Sequence, residues 1–171
     1  MTPEFSRPER LDSIGAGERA VAVAADPAER AALARRFDLR SIERLEASVT
    51  VRRDGGAVLV AGRVTGAVTQ ACSVTGDPLP AAIDEPLRLR FVDDDEAAEE
   101  VELTEDSADT LPIEGGAVDL GEAVAQTLLL ALDPFPRGPN AEAALAKAGV
   151  LSEGEAGPFA KLAGLRKKLT Q

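Results

Sequence analysis

The feature that most constrains the fold is a long alternation broken by two adjacent glycines. From Ile42 to Arg53, Leu45, Ala47, Val49 and Val51 share one parity. Arg44, Glu46, Ser48, Thr50 and Arg52 share the other. A period of two belongs to a half-buried β-strand. Arg53-Asp54-Gly55-Gly56 then reads as a hairpin turn, since glycine tolerates the positive φ such turns demand. The return strand runs from Ala57 to about Cys72, with Val58, Val60, Val64 and Val68 in phase. Gly62 and Gly66 are interleaved with them. Glycine inside a strand marks a bend, a bulge or a close backbone approach, and a sheet rolling toward a barrel would use such bends. The hairpin itself is an antiparallel pair.

Around the hairpin, two helices announce themselves by their caps. Asp26-Pro27-Ala28-Glu29 combines an N-cap, a proline at the first helical position and a capping-box glutamate, so a helix is expected to run to about Phe37. Asp119 and Glu122 repeat the pattern before Leu120, Ala123, Val124, Thr127, Leu128 and Ala131. Leu129, Leu130 and Leu132 make this second helix apolar nearly all round, which predicts deep burial against the sheet. Ala20–Ala25 reads as a short buried strand, and Ile83–Val92 as a further strand with Ile83, Leu87, Leu89 and Phe91 inward. Asp133-Pro134-Phe135-Pro136 ends the second helix.

The expected fold class is α+β. A bent, barrel-like antiparallel sheet is covered by two main helices, with a mobile acidic loop and a C-terminal tail helix. Residues 1–17 read as a flexible lead-in, with Phe5 and Leu11–Ile14 able to lie on the domain. Residues 18–138 are the domain, and 139–171 an Ala/Gly-rich linker and basic tail. Residues 140–148 fit a short helix. In the tail, Phe159, Leu162, Leu165 and Leu169 oppose Lys161, Arg166, Lys167 and Lys168, an amphipathic pattern suited to docking or partner binding.

Composition excludes more than it proposes. The chain of 171 residues has no histidine and a single cysteine, Cys72. Histidine-based catalytic pairs and a structural zinc site are therefore out of reach, and one cysteine allows no internal disulfide. A cytoplasmic protein is expected. Cys72 itself reads as a strand-end core residue, with no neighbouring base to lower its pKa. Five phenylalanines without tryptophan or tyrosine argue against an aromatic platform for single-stranded nucleic acid. No apolar run approaches the ~20 residues of a membrane helix, and the charged start MTPEFSRPER does not read as a signal peptide.

The net charge of −11 is concentrated. Between Phe91 and Pro136 lie 14 acidic residues and no lysine or arginine, which leaves the rest of the chain at +3. Within this block, DDDEAAEEVELTEDSAD reads as a solvated loop, with Val101 and Leu103 able to form a short edge strand. It lacks the alternating ligands of a calcium loop. The basic residues Arg35, Arg36, Arg40, Arg44, Arg52 and Arg53 cluster in sequence and are candidate phosphate contacts. Arg137, Arg166, Lys167 and Lys168 are weaker candidates of the same kind. The alternative is a solvated face balanced by Glu29, Glu43, Glu46 and Asp54.

Several stretches occur in a recognisable order: ERAALARRFDL, GAVTQACSVTGDPLP, VDLGEAVAQTLLLALDPFPR and the closing PFAKLAGL. In this the chain resembles the YceD-like family, the large ribosomal RNA subunit accumulation proteins, in its alphaproteobacterial form, over roughly residues 5–169. The signature positions are Gln70, Cys72, Thr75, Asp119, Gly121, Glu122, Pro134 and Pro136. The resemblance implies a bacterial, non-enzymatic factor supporting 23S ribosomal RNA accumulation and large-subunit assembly. It implies contact with ribosomal RNA, an assembly intermediate or a basic ribosomal protein, and no cofactor. Some relatives carry a second cysteine after the position of Cys72 and a further pair after the Pro134–Arg137 turn, suggesting a metal. Here Gly76-Asp77 and Pro136-Arg137-Gly138 stand there instead, so no metal is expected. Two other classes remain open at this level: an adaptor whose acidic loop docks a basic partner without RNA, and a small-molecule or metal-binding barrel.

Overall fold

A computed structural model describes residues 3–93, 109–113 and 115–150. The chain forms two compact units, one from Met1–Gln70 with Pro80–Pro134, the other from Ala71–Leu79 with Phe135–Gln171. The strands are β1 (Pro8–Arg10), β2 (Arg19–Ala24), β3 (Ser41–Asp54), β4 (Ala57–Ala71), β5 (Pro78–Val92), β6 (Asp109–Pro112) and β7 (Ala117–Asp119). The helices are α1 (Pro27–Arg36), α2 (Leu120–Ala131) and α3 (Ala141–Lys147), with a single 3₁₀ turn at Leu11–Ser13.

The hairpin dominates the first unit. β3 and β4 pair antiparallel from Ser41↔Thr69 to Asp54↔Ala57, with one irregularity between Ile42 and Arg44. Gly55 in the turn takes φ +63°, the left-handed region that glycine enters at no steric cost. The interleaved glycines answer to close approach. A Cβ on Gly62 would lie 2.2 Å from the Ser48 carbonyl oxygen, and one on Gly66 2.9 Å from Leu128 Cδ1 of α2. Gly66 is thus where the helix seats on the sheet.

The five-stranded sheet has the order β2-β3-β4-β5-β6, and β1 and β7 form a separate two-stranded antiparallel sheet. The strand order has two ends, and no described pairing joins β2 to β6. The fold is therefore a mixed α+β arrangement with an open strand order, not a described closed barrel. The expectation of an all-antiparallel sheet is corrected by β6, which runs parallel to β5 from Leu89↔Asp109 to Val92↔Pro112. An antiparallel neighbour can follow after two residues, whereas a parallel one requires a crossover of a dozen or more.

Two burial expectations also change. β2 is an edge strand in which only Val23 is fully buried, not a buried strand. α2 buries Leu120, Ala123, Val124, Ala125 and Leu128 but exposes Leu129 at 41 % and Leu130 at 83 %, so one side of the helix faces outward. The expected lead-in contributes structure to the first unit: Phe5 is fully buried in its core and Pro8–Arg10 pairs with β7. The expected edge strand at Val101–Leu103, the rest of 94–108 and the tail helix at 159–169 lie outside the described residues.

Candidate functional site

The signature residues near α2 act as a clamp. Asp119 N-caps the helix, its Oδ1 accepting from the backbone N–H groups of Gly121 and Glu122 at 3.0 and 3.3 Å. The same carboxylate accepts from the Arg7 N–H at 2.7 Å and from the Ser6 hydroxyl at 2.5 Å. One side chain therefore satisfies two of the exposed N–H groups at the start of the helix and tethers the N-terminal segment. Gly121 permits that tether: a Cβ there would lie 2.6 Å from the Phe5 carbonyl oxygen. Glu122 faces α1, where Arg36 donates to it in bidentate fashion at 2.8 and 2.6 Å. The Arg36 guanidinium holds the Glu122 carboxyl below the usual range, against the opposing effect of burial. At the far end of α2, the buried Gln70 donates from Nε2 to the Asp133 carbonyl at 2.9 Å. These positions hold the architecture together.

Cys72 lies in the second unit, at the head of a tight loop. Its N–H donates to the Asp77 carbonyl at 2.8 Å, and the Gly76 N–H returns to the Cys72 carbonyl at 2.9 Å. The Ser73 N–H donates to the Pro136 carbonyl at 2.8 Å, which brings the Pro136–Gly138 stretch over the sulfur. The N–H groups of Gly138 and Thr75 then donate to Sγ at 3.4 and 3.5 Å. The thiol is 3 % exposed. Gly138 first, then the Thr75 side chain and backbone, bring its pKa down to about 6, while burial opposes them. A lowered thiol is the finding the sequence did not foresee. The cause is the backbone donor of Gly138, 66 positions away, together with that of Thr75 in the same loop.

A metal does not fit this corner. A thiolate centre of the zinc type takes four ligands from Cys, His and carboxylates. The loop supplies one thiolate, and the chain has no histidine and no second cysteine. Asp77 accepts from Asn140 Nδ2 at 3.3 Å instead. No group of three or more potential metal ligands exists among the described residues.

The described candidate arginines have different local partners. Arg44 pairs with Glu46 at 3.6 Å and Arg52 with Asp54 at 3.3 Å, on the outward side of β3. Eight strand residues separate them by about 26 Å. Arg53 donates to the Leu11 carbonyl at 3.4 Å, and Arg36 is committed to Glu122 and Glu4. Arg137 is exposed in the second unit. Arg166, Lys167 and Lys168 lie outside the described residues. Among the described candidates, Arg35 and Arg40 come together, lining a groove between α1 and the start of β3. Arg30, which sequence reasoning passed over, lines it too. Its signal was the helical spacing: Arg30 and Arg35 flank Ala31 and Ala34 on one side of α1.

These features define a mixed α+β protein whose most distinctive residues serve capping, tethering and turn formation. The chain belongs to the family of the large ribosomal RNA subunit accumulation protein YceD, whose model matches residues 60–166, more than half of its length. No curated protein and no solved structure matches the chain. Among the described residues, no helix is long and apolar enough to cross a membrane.

Proposed function

We propose that this protein is a non-enzymatic factor that supports accumulation of the large ribosomal RNA and assembly of the large subunit. It acts by contacting ribosomal RNA or a ribosomal protein in the cytoplasm. The observation that carries this reading is the family match over residues 60–166, together with the family's description. The exposed arginines of the 35–53 stretch and Arg137, with the basic tail at 166–168, are the proposed contacts. Arg36 is the weakest of these because Glu122 already holds both of its terminal nitrogens.

The test is sedimentation of cell extract. The protein is expected to travel with immature large-subunit particles, and its depletion to lower mature 23S ribosomal RNA while precursors rise. A protein found only at the top of the gradient, with ribosomal RNA unchanged on depletion, overturns the reading. If the acidic segment instead docks a basic protein, particle association survives removal of the arginines and disappears on neutralising Asp93–Asp95.

A further inference from the structure

An edge strand presents a row of backbone groups that its own sheet does not use, and β2 is such an edge. β2 pairs with β3 without a register shift from Arg19↔Val51 to Ala24↔Glu46. Just beyond, the Ala25 N–H donates to the Leu45 carbonyl at 3.0 Å. Bonded residues alternate along an antiparallel pair. Val23, Val21 and Arg19 therefore face β3 with their N–H and C=O groups, as Ala25 does. Ala20, Ala22 and Ala24 turn theirs away from the sheet. The far side of β3 agrees. Asp54 and Ala57 close the hairpin across two residues, which assigns the even-numbered residues of β3 to β4 and the odd-numbered ones to β2.

The Ala24 carbonyl accepts from Arg7 Nη2 at 3.2 Å. Among the described residues, nothing bonds to the outward N–H and C=O groups of Ala20 and Ala22. The strand also lacks the devices that blunt an edge: it has no lysine, no proline and no bulge. The side chains of Ala20 and Ala22 are exposed on the outer face of the sheet. With Ser48, Thr50 and Ala61 among others, they line an open hollow of about 610 Å³. No ionised side chain lines it. The outward charges next along β3 and β4 are already paired, Glu46 with Arg44, Asp54 with Arg52 and Asp84 with Arg63.

We infer that the β2 edge binds an extended segment of a partner protein by strand addition. The backbone of that segment pairs with Ala20 and Ala22, and large uncharged side chains at alternate positions lie across the two alanines over the hollow. A polypeptide matches because the edge offers donors and acceptors together at strand spacing. A phosphate chain, made of acceptors, has nothing to give the outward carbonyls. Uncharged side chains match because a charge over the hollow would lose water without gaining a free counter-charge. A residue that bonds to Ala22 shares its face, so its side chain is the one that reaches the hollow. This inference goes beyond the proposed function, since it gives the protein a peptide-binding edge independent of any ribosomal particle.

The test is amide hydrogen exchange of the full chain by NMR, alone and with the synthetic peptide Lys-Tyr-Thr-Tyr-Thr-Tyr-Lys. In the free protein the Ala20 and Ala22 amides are expected to exchange at least about a hundredfold faster than those of Val21 and Val23. Peptide at about 1 mM is expected to slow the Ala20 and Ala22 amides at least about tenfold. The same peptide with Glu in place of Tyr is expected to bind at least about tenfold more weakly. Ala22→Pro removes an outward N–H and no bond to β3, a position where edge strands accept proline. Folded by circular dichroism, this variant is expected to lose at least about tenfold in peptide affinity. The exchange comparison uses the wild type alone and so decides the matter even without a folded variant. Absence of protection by the Tyr peptide, equal affinity for the two peptides, or unchanged affinity in the folded Pro variant overturns the inference. So does slow exchange of Ala20 and Ala22 in the free chain, which means the edge is already covered. A concentration-dependent dimer in light scattering then makes a second copy the occupant. None of these outcomes involves sedimentation, so the assembly role stands or falls separately.

Discussion

At the residue scale, Cys72 shows how far a side chain's chemistry depends on groups distant in sequence. A lone cysteine in a chain without histidine reads as an inert core residue. Its burial agrees with that reading, but its donors do not. N–H groups from Gly138 and Thr75 point at the sulfur and favour the thiolate. With a pKa of about 6 against an ordinary value of 9.0, the thiol is lowered in the folded state. Its contribution to stability is therefore complete above pH 9 and is lost as pH falls through about 6. Denaturant midpoints of the wild type are expected to rise between these limits, and those of Cys72→Ala to stay flatter over the same range. Parallel profiles for the two proteins would assign the pH dependence to other groups.

At the element scale, α2 explains why an Asp-Leu-Gly-Glu run is more than a helix start. Asp119 caps, Leu120 is buried, Gly121 leaves room for the Phe5 carbonyl, and Glu122 binds Arg36 of α1. The cap and its helix were legible because they depend on neighbours within one turn. The tether to Ser6 and Arg7 was not, because it joins residues more than a hundred positions apart. The Arg36–Glu122 pair is partly buried and bidentate, so Glu122→Gln is expected to cost about 1 kcal/mol at neutral pH. Glu122 has its pKa lowered below 4.5 in the fold. Its stabilisation is present above that value and lost as pH falls through the folded one. Thermal unfolding from pH 6 downward should show a shallower acid decline in the Gln variant than in the wild type.

At the scale of the whole chain, the N-terminal segment is part of the first unit's core. Phe5 is fully buried and carries the Arg7 guanidinium 4.8 Å above its ring. Phe5→Ala is expected to cost about 3–5 kcal/mol, within the range for deleting a buried aromatic ring. A chemical denaturation curve measures it directly, and a loss below about 1 kcal/mol would mean that the segment packs only loosely. The sequence left this open: residues 1–17 are mostly polar, and Phe5 with Leu11–Ile14 read only as able to lie on the domain.

What the sequence by itself determined is whatever local physics decides. The period-two alternation and Gly55 made the β3–β4 hairpin. The Asp26 and Asp119 caps started α1 and α2, and the absence of histidine excluded whole classes of chemistry. Tertiary structure decided what depends on partners far along the chain: the parallel placement of β6, the outward side of α2, the lowered thiol of Cys72, and which arginines meet. Arg36 and Arg35 are adjacent in sequence, yet one is held by Glu122 and the other lines a groove with Arg30 and Arg40. Successive helical residues point about 100° apart, so adjacency gave no warning. Only packing against α2 and the turn at Asp38 separates their roles.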